Sequence, residues 1–430
     1  MAAERLGVHV IGPRYGESII VELPDGSLGI IDSFSVRKRK SQIHKLIGTR
    51  FPGRKVAFFA ITHPHADHLM GSADLVEEYG PEEFWVFLPF PQGQVIKWFN
   101  LLCELRTADA IEVAMNLPSG TTALEILRLN RRFNELRQRN ARARYLVRSN
   151  SFTMCTGSVR VSMLTPTHTA AYDYCSKLAL AEQRINLNNI GLGEIVDSID
   201  HNAISGGVLV EFGETRVLLM ADAEHQLWEQ LLADEDAILD RRVHLIKVAH
   251  HGSENGYCRQ LYERIADPRS TIAVVTPFDK GVKKLPTSIG ISSIRPHVNA
   301  IYCTNRTVAQ EATGFTWNAL PNTATGVLGA IPRHWAAMCQ LNPSLTTLLE
   351  AAVGGVENVP IGAPTHVPKR WARDCQENHR LLQLIRPEFR NAEVEPSRED
   401  CCDEFRVSFY FDDRGRQDAD YFGWGAGKLQ

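Results

Sequence analysis

The sequence predicts an α/β protein in which two sheets lie face to face with helices packed outside them. Three observations carry this reading. Apolar runs of strand length recur from residue 7 to about 305, helical patterns fall between them, and Gly, Pro and Asp punctuate the joins. At 430 residues, 44% hydrophobic and 23% charged, the chain can build one large or two modest domains around a sizeable core.

The elements follow in order. VHVIG, SIIVELPDG and LGIIDSF read as strands, and Pro24-Asp25-Gly26 turns the second into the third as a hairpin. KVAFFAIT, Lys55 to Thr62, is apolar almost throughout, the mark of a strand buried on both faces. Leu69 to Tyr79 reads as a helix ended by Gly80-Pro81, and FWVFLPF as a strand. Residues from about 92 to 150 form a predicted helical insertion, broken at Pro118-Ser119-Gly120. Strands resume with SVRVSMLTP, GGVLVEFGE, TRVLLMADAE, VHLIKVAHHGS and TIAVVTPF. Beyond about 310 the chain is rich in Gly, Pro and Asn, with a helix expected near 369–385 and a last strand in FRVSFYFDDRG. The expected organisation is a main domain over 1–310 and a C-terminal extension over 311–430, free to cover a site, oligomerise or contact a protein partner.

Bulk properties narrow the class. A formal net charge of -3 gives no overall basic field to draw the chain onto nucleic acid, so such binding needs a local patch. The nine cysteines are odd in number and lack a CxxC pair, which fits reduced thiols in a cytoplasmic protein and no structural zinc at Cys375, Cys401 or Cys402. The opening residues lack a signal-peptide pattern, and no apolar run is of membrane-spanning length, so no membrane role is expected.

The informative segment is Thr62-His63-Pro64-His65-Ala66-Asp67-His68, between an apolar strand and a helix. His63 and His65 are two apart and project to one side of an extended backbone, whereas Asp67 and His68 fall where the chain turns into the helix. Four ligand-type side chains in six residues suit two adjacent cations, the first pair holding one and the second pair the other. Imidazole and carboxylate together suit zinc first, with manganese or iron as alternatives. A lone histidine is usually structural, but three histidines and an aspartate in this order are not read that way.

HPHADH resembles the HxHxDH signature of the metallo-β-lactamase superfamily, and further landmarks follow in order over roughly residues 7–305. The resemblance implies an αβ/βα four-layer sandwich holding two divalent metal ions. Asp32 is similar to the aspartate that supports the first metal-binding loop. Asp222, in VLLMADAE, is similar to the bridging aspartate, with Ala221 where glycine is usual. His250, in LIKVAHHGS, matches the late histidine that ligates the second metal. The third ligand of the first metal is read as His201, four residues before Ser205, with Asn202 and His168 as rivals. His251 is read as a substrate-facing group or general acid, against a purely structural role, and Asp67 as a ligand that also orients the attacking water. Ser253 is read as a turn former before a phosphate contact.

LLMADAE with IKVAHHGS resembles the ComEC-type branch, which is regarded as a nuclease, and so implies a phosphodiester or nucleic-acid substrate. Hydrolysis of a carboxylic ester, lactone, thioester or amide is the alternative, and a non-catalytic partner-binding module is a third reading. Redox di-iron chemistry is disfavoured, because that branch carries glutamate where this chain has His65. Two basic segments bear on substrate: the arginines from Arg128 to Arg148, read as a phosphate track or a solvated helix face, and Lys280, Lys283 and Lys284 after the TIAVVTPF strand.

Overall fold

A computed structural model describes residues 5–35, 41–87, 122–188, 200–233, 237–319, 406–422 and 426–430. All belong to one compact unit, Met1–Leu320 with Phe405–Gln430; a second unit spans Pro321–Glu404. Residues 88–121, which hold the first part of the insertion expected over about 92–150, the helix expected near 369–385, and Cys375, Cys401 and Cys402 lie outside the described residues.

The strands in chain order are β1 (Leu6–Ile11), β2 (Ser18–Glu22), β3 (Leu28–Ile31), β4 (Val56–Ile61), β5 (Glu83–Val86), β6 (Arg142–Tyr145), β7 (Ser151–Met154), β8 (Val159–Met163), β9 (Val208–Phe212), β10 (Thr215–Leu219), β11 (Leu245–Lys247), β12 (Ile272–Val275), β13 (Phe278–Lys280), β14 (Lys283–Leu285), β15 (Ala300–Cys303), β16 (Trp317–Ala319), β17 (Arg406–Phe411), β18 (Gln417–Phe422) and β19 (Gly427–Leu429). They build an eight-stranded sheet, β18-β17-β1-β2-β3-β4-β5-β6, and a nine-stranded sheet, β16-β19-β15-β12-β11-β10-β9-β8-β7, with β13 and β14 as a separate hairpin.

Three apolar clusters define the layers. The middle one joins inner faces of both sheets: Val8, Ile19, Val21, Phe58, Ala60 and Trp85 with Val161, Val210, Leu219 and Val274. Phe58 and Trp85 stack there at 3.9 Å between ring centres and 7° between planes. The other two place helices on the outer faces. Helices Gln42–Arg50, Ser72–Tyr79 and Thr122–Gln138 cover the first sheet, and helices His225–Ala233, Arg259–Ile265 and Ser288–Ile294 cover the second. The result is the predicted αβ/βα four-layer sandwich. Alternation explains the unbroken apolar runs. Phe58 and Ala60 face the inner core while Phe59 and Ile61 face the helices, so neither side of β4 meets water.

Three local expectations change. The helix expected over Leu69–Tyr79 is two pieces, Ala66–Leu69 and Ser72–Tyr79, because Gly71 adopts φ +88 between them. The arginine-rich helix stops at Gln138; Arg142–Tyr145 then leaves helix altogether and pairs parallel to β5 as the edge strand. At the far end, residues 406–430 fall within the range assigned to the C-terminal extension, yet β17 and β18 extend the first sheet from β1, and β19 sits between β15 and β16 in the second.

The sheet order positions the site. β3 and β4 run parallel, as do β10, β11 and β12, so their C-terminal ends open on a shared edge where loops converge. Such ends are where open α/β sheets place ligand-binding groups.

Candidate metal centre

Six loops supply the cluster: Glu17 precedes β2, Asp32 follows β3, His63 to His68 follow β4, Asp222 follows β10, His250 and His251 follow β11, and Thr276 follows β12. Two groups emerge, each with donor atoms within 4.8 Å of one another: Glu17, His68, Asp222 and His251, and His63, His65 and Asp222. Asp222 belongs to both.

The imidazoles are held from behind. Asp32 Oδ1 accepts the Thr62 backbone N–H at 2.8 Å, and its Oδ2 accepts the Thr62 hydroxyl at 2.7 Å and the His68 Nδ1–H at 2.8 Å. With its proton given to Asp32, Thr62 Oγ1 accepts from His63 Nδ1 at 3.0 Å. His251 donates Nδ1–H to the Thr276 carbonyl at 2.8 Å. In each ring one nitrogen is anchored, and Nε2 is left for the cluster. His63 Nε2 lies 3.0 Å from His65 Nδ1, His68 Nε2 lies 3.3 Å from Asp222 Oδ1, and His251 Nε2 lies 3.1 Å from Asp67 Oδ2.

These atoms fit a cation. His68 Nε2, Asp222 Oδ1 and Glu17 Oε1 are buried and have no hydrogen-bond partner among the described residues. Leaving three such groups unsatisfied in a protein interior costs far more than a fold tolerates without compensation. Electrostatics agree. Burial opposes charge on His68, yet the carboxylates of Asp222, Glu17, Asp67 and Asp32 hold its pKa well above the usual value. His251 is raised in the same way, against burial, by Asp222, Asp67 and Glu17. The carboxylates thus demand positive charge, which protons supply only by blocking the ring nitrogens. On the other side, burial, with His68 and His65 nearby, drives His63 well below its usual value, so its ring stays a neutral donor.

Strained backbone is concentrated at these positions. Asp32, Ala221, His250 and His251 all have positive φ, at 59, 46, 43 and 52°. Left-handed backbone costs a non-glycine residue about 1–2 kcal/mol. Ala221 occupies the position where glycine was expected, and it meets that need at this cost.

The structure distributes the predicted residues unevenly. His63, His65, His68 and Asp222 converge as described, and Asp67 touches the cluster through His251. Of the late pair it is His251, not His250, that faces Asp222 and His68. His250 turns to the rim, where Nδ1 is 3.3 Å from Glu224 Oε1 and Nε2 is 3.5 Å from Lys283 Nζ. The physical reason is that β11 ends at Lys247, and the two histidines lie on a left-handed turn, where strand alternation does not apply. His201 stands beside His65, ring centres 5.5 Å apart, with Nδ1 bonded to the Tyr174 hydroxyl at 2.7 Å, but it is not among the donors within 4.8 Å. Burial and His65 push its pKa down to about 4. Asn202 donates to Glu224 at 3.2 Å, and His168, exposed at a helix start, is not among the grouped donors. Ser253 bonds Asn255, as a turn former does.

Two residues escaped the sequence reading. Glu17 sits in the group with His68, Asp222 and His251, with Oε2 paired to Lys247 and accepting the Thr276 hydroxyl at 2.7 Å. Lys247 Nζ also lies 3.3 Å from the Ala221 carbonyl. The signal was indirect: Glu17 directly precedes the fully buried strand SIIVE and Lys247 lies inside LIKVA, charges in apolar surroundings whose pairing shows only in the fold. The arginine run, by contrast, is largely spent on neighbours. Arg128 pairs with Asp74 and Glu125, Arg131 and Arg132 with Glu135, and Arg142 and Arg144 with Glu83.

Fold and cluster together define the class: a two-sheet α/β sandwich whose strand ends carry a buried histidine–carboxylate cluster able to hold metal ions. No family model matches the chain, and no curated protein matches it. Among solved structures it is similar to Igni18, a metallo hydrolase from the archaeon Ignicoccus hospitalis, at 12% identity over 61% of this chain and 88% of that one, with a TM-score of 0.27. It is also similar to a mutant of the CmlA β-hydroxylase, at 12% identity over 58% of this chain and 36% of that one, TM-score 0.29. A protein of unknown function from Enterococcus faecalis matches at 11% identity over 56% and 49%, TM-score 0.27. At such scores none of the three guides the chemistry; the donor atoms of this chain do.

Proposed function

We propose that the chain is a metal-dependent hydrolase of metallo-β-lactamase type, acting on a phosphodiester. One observation carries the reading: His68 Nε2, Asp222 Oδ1 and Glu17 Oε1 are ligand-type atoms of one buried cluster that have no hydrogen-bond partner among the described residues. Divalent ions held by this set would supply Lewis acidity, acidifying water and offsetting charge on a substrate oxygen. His63, His65 and Asp222 would hold one ion, and His68, Asp222, His251 and Glu17 the other. Asp67, kept ionised against burial by His68 and His251, is placed to accept a hydrogen bond from the attacking water and orient it. The ComEC-like LLMADAE and HHGS segments favour a phosphodiester over a carboxylic ester.

The test is metal analysis of the purified protein beside an Asp67→Ala/His68→Ala variant, with turnover of bis(p-nitrophenyl) phosphate, DNA, RNA and a lactone panel. About two ions per wild-type chain are expected, with loss of hydrolysis in the variant. Activity retained in a folded, metal-depleted variant would refute the mechanism. Turnover of lactones with no turnover of phosphodiesters would move the substrate to the ester class.

A further inference from the structure

His250 lies beside the metal cluster and outside it. It is buried, its backbone is left-handed, and its two ring nitrogens face opposite charges: Glu224 Oε1 at 3.3 Å and Lys283 Nζ at 3.5 Å. Glu224 is fixed in turn, accepting from Asn202 Nδ2 at 3.2 Å and Asn255 Nδ2 at 2.7 Å. Lys283 belongs to the hairpin β13–β14, whose Val282 tip is fully exposed and whose Phe278 ring packs 5.3 Å from His251. The hairpin therefore stands at the mouth of the cluster.

Its three lysines have different surroundings. Lys284 pairs with Glu311 at 3.3 Å, and Lys280 lies over the Tyr15 ring at 5.2 Å. Lys283 has no carboxylate within ion-pair distance among the described residues; its ammonium lies 3.5 Å from His250 Nε2. An ammonium held in one place by an imidazole, and left without a counter-charge beside a metal cluster, is arranged for an anion that arrives from outside.

We propose that Lys283 is the anchor for an anionic oxygen of the substrate next to the scissile bond, and that His250 and Glu224 are positioning residues that hold its ammonium over the cluster. The inference rests on the proposed hydrolase reading and specifies its substrate: a charged phosphodiester is selected over a neutral ester. Lys283 donates N–H to the oxygen, His250 accepts another of its protons at Nε2, and the Nδ1–H of His250 faces Glu224. No bond of the protein is made or broken.

The experiment uses the full chain loaded with zinc. Bis(p-nitrophenyl) phosphate and p-nitrophenyl acetate are compared as substrates, and inorganic phosphate is titrated by calorimetry. Lys283 is exposed, so Lys283→Met keeps the fold, and metal content is measured alongside. The expected result is a KM for the phosphodiester and a Kd for phosphate each raised about tenfold or more, with acetate turnover and metal content unchanged. Lys283→Arg restores part of the loss. His250→Gln raises the phosphodiester KM with kcat and acetate turnover little altered, a split that general loosening of the site would not give. Unchanged KM and phosphate affinity in Lys283→Met would overturn the anchor while leaving the hydrolase reading intact. If neither ester is turned over, yet phosphate binding still depends on Lys283, the anchor stands and the hydrolase reading fails.

Discussion

Replacing Lys247 by methionine tests the buried charge behind the cluster. Lys247 and Glu17 are both inaccessible, at 0% and 1% side-chain exposure, and their charges meet directly. Methionine nearly matches the volume of lysine, so little cavity forms and the cost isolates the charge. It leaves Glu17 in the interior beside Asp222 and Asp32 without its counter-charge, so that it must stay charged there or take up a proton, each at a cost. Breaking a buried pair from one side costs about 3–5 kcal/mol. At about 2 cal/mol/K of unfolding entropy per residue, that lowers the thermal midpoint of a unit this size by roughly 5 °C. The assay is urea unfolding with chelator present, so that metal binding does not shift the equilibrium. Glu17→Gln/Lys247→Met, which removes both charges, should be less destabilised than the sum of the two single variants by at least about 1 kcal/mol. Single variants within about 0.5 kcal/mol of wild type, or a strictly additive double variant, would refute the claim that the pair neutralises the interior.

Further outcomes follow from the same geometry. Asp32→Asn keeps a residue that tolerates left-handed backbone but weakens the hold on His68 and Thr62. Metal affinity should fall about 10–100-fold, read by competition with a chromophoric chelator. Gly252→Ala puts a methyl group 2.7 Å from Pro286 Cβ at φ +78, directly after His251; both stability and metal affinity should fall, by about 1–3 kcal/mol in unfolding free energy. His9 gives a pH test away from the metal centre. Burial lowers its pKa to about 4, outweighing the Glu22 carboxylate 3.5 Å away, so between pH 4 and 6.5 the unfolded chain binds a proton that the folded chain does not. Its contribution is full above pH 6.5, declines as pH falls towards 4 and levels off below, about 3 kcal/mol in all. His9→Gln, compared with wild type by urea unfolding across that range, should lack this component; identical pH slopes would exclude it.

The strands were legible because their residues are buried on both faces, which writes the fold as unbroken apolar text: KVAFFAIT became Val56–Ile61 with little loss. His63 to His68 were legible because four ligand side chains, three histidines and an aspartate, crowd into six residues. Glu17 was not, because its meaning depends on Lys247, 230 positions away, and a single glutamate before a strand carries no spacing signal. Which of His250 and His251 faces the cluster was not legible for another reason. Alternation holds only while the backbone is extended, and positive φ at both residues reverses which ring faces inward. The last strand was legible as a strand, but its partner β1, at the other end of the chain, was not, since register across 400 residues is decided by packing alone.

That closure has a consequence for biosynthesis. β17 hydrogen-bonds β1 along all six residues, and β19 lies between β15 and β16. While the ribosome is still short of Arg406, β1 has an open flank of backbone donors and acceptors, and the second sheet lacks an interior member. Until that segment is made, β1 stays an unmated strand open to neighbours that would add to it. A stop codon placed just before that last segment would release a chain exposing that flank, prone to join its own kind edge to edge.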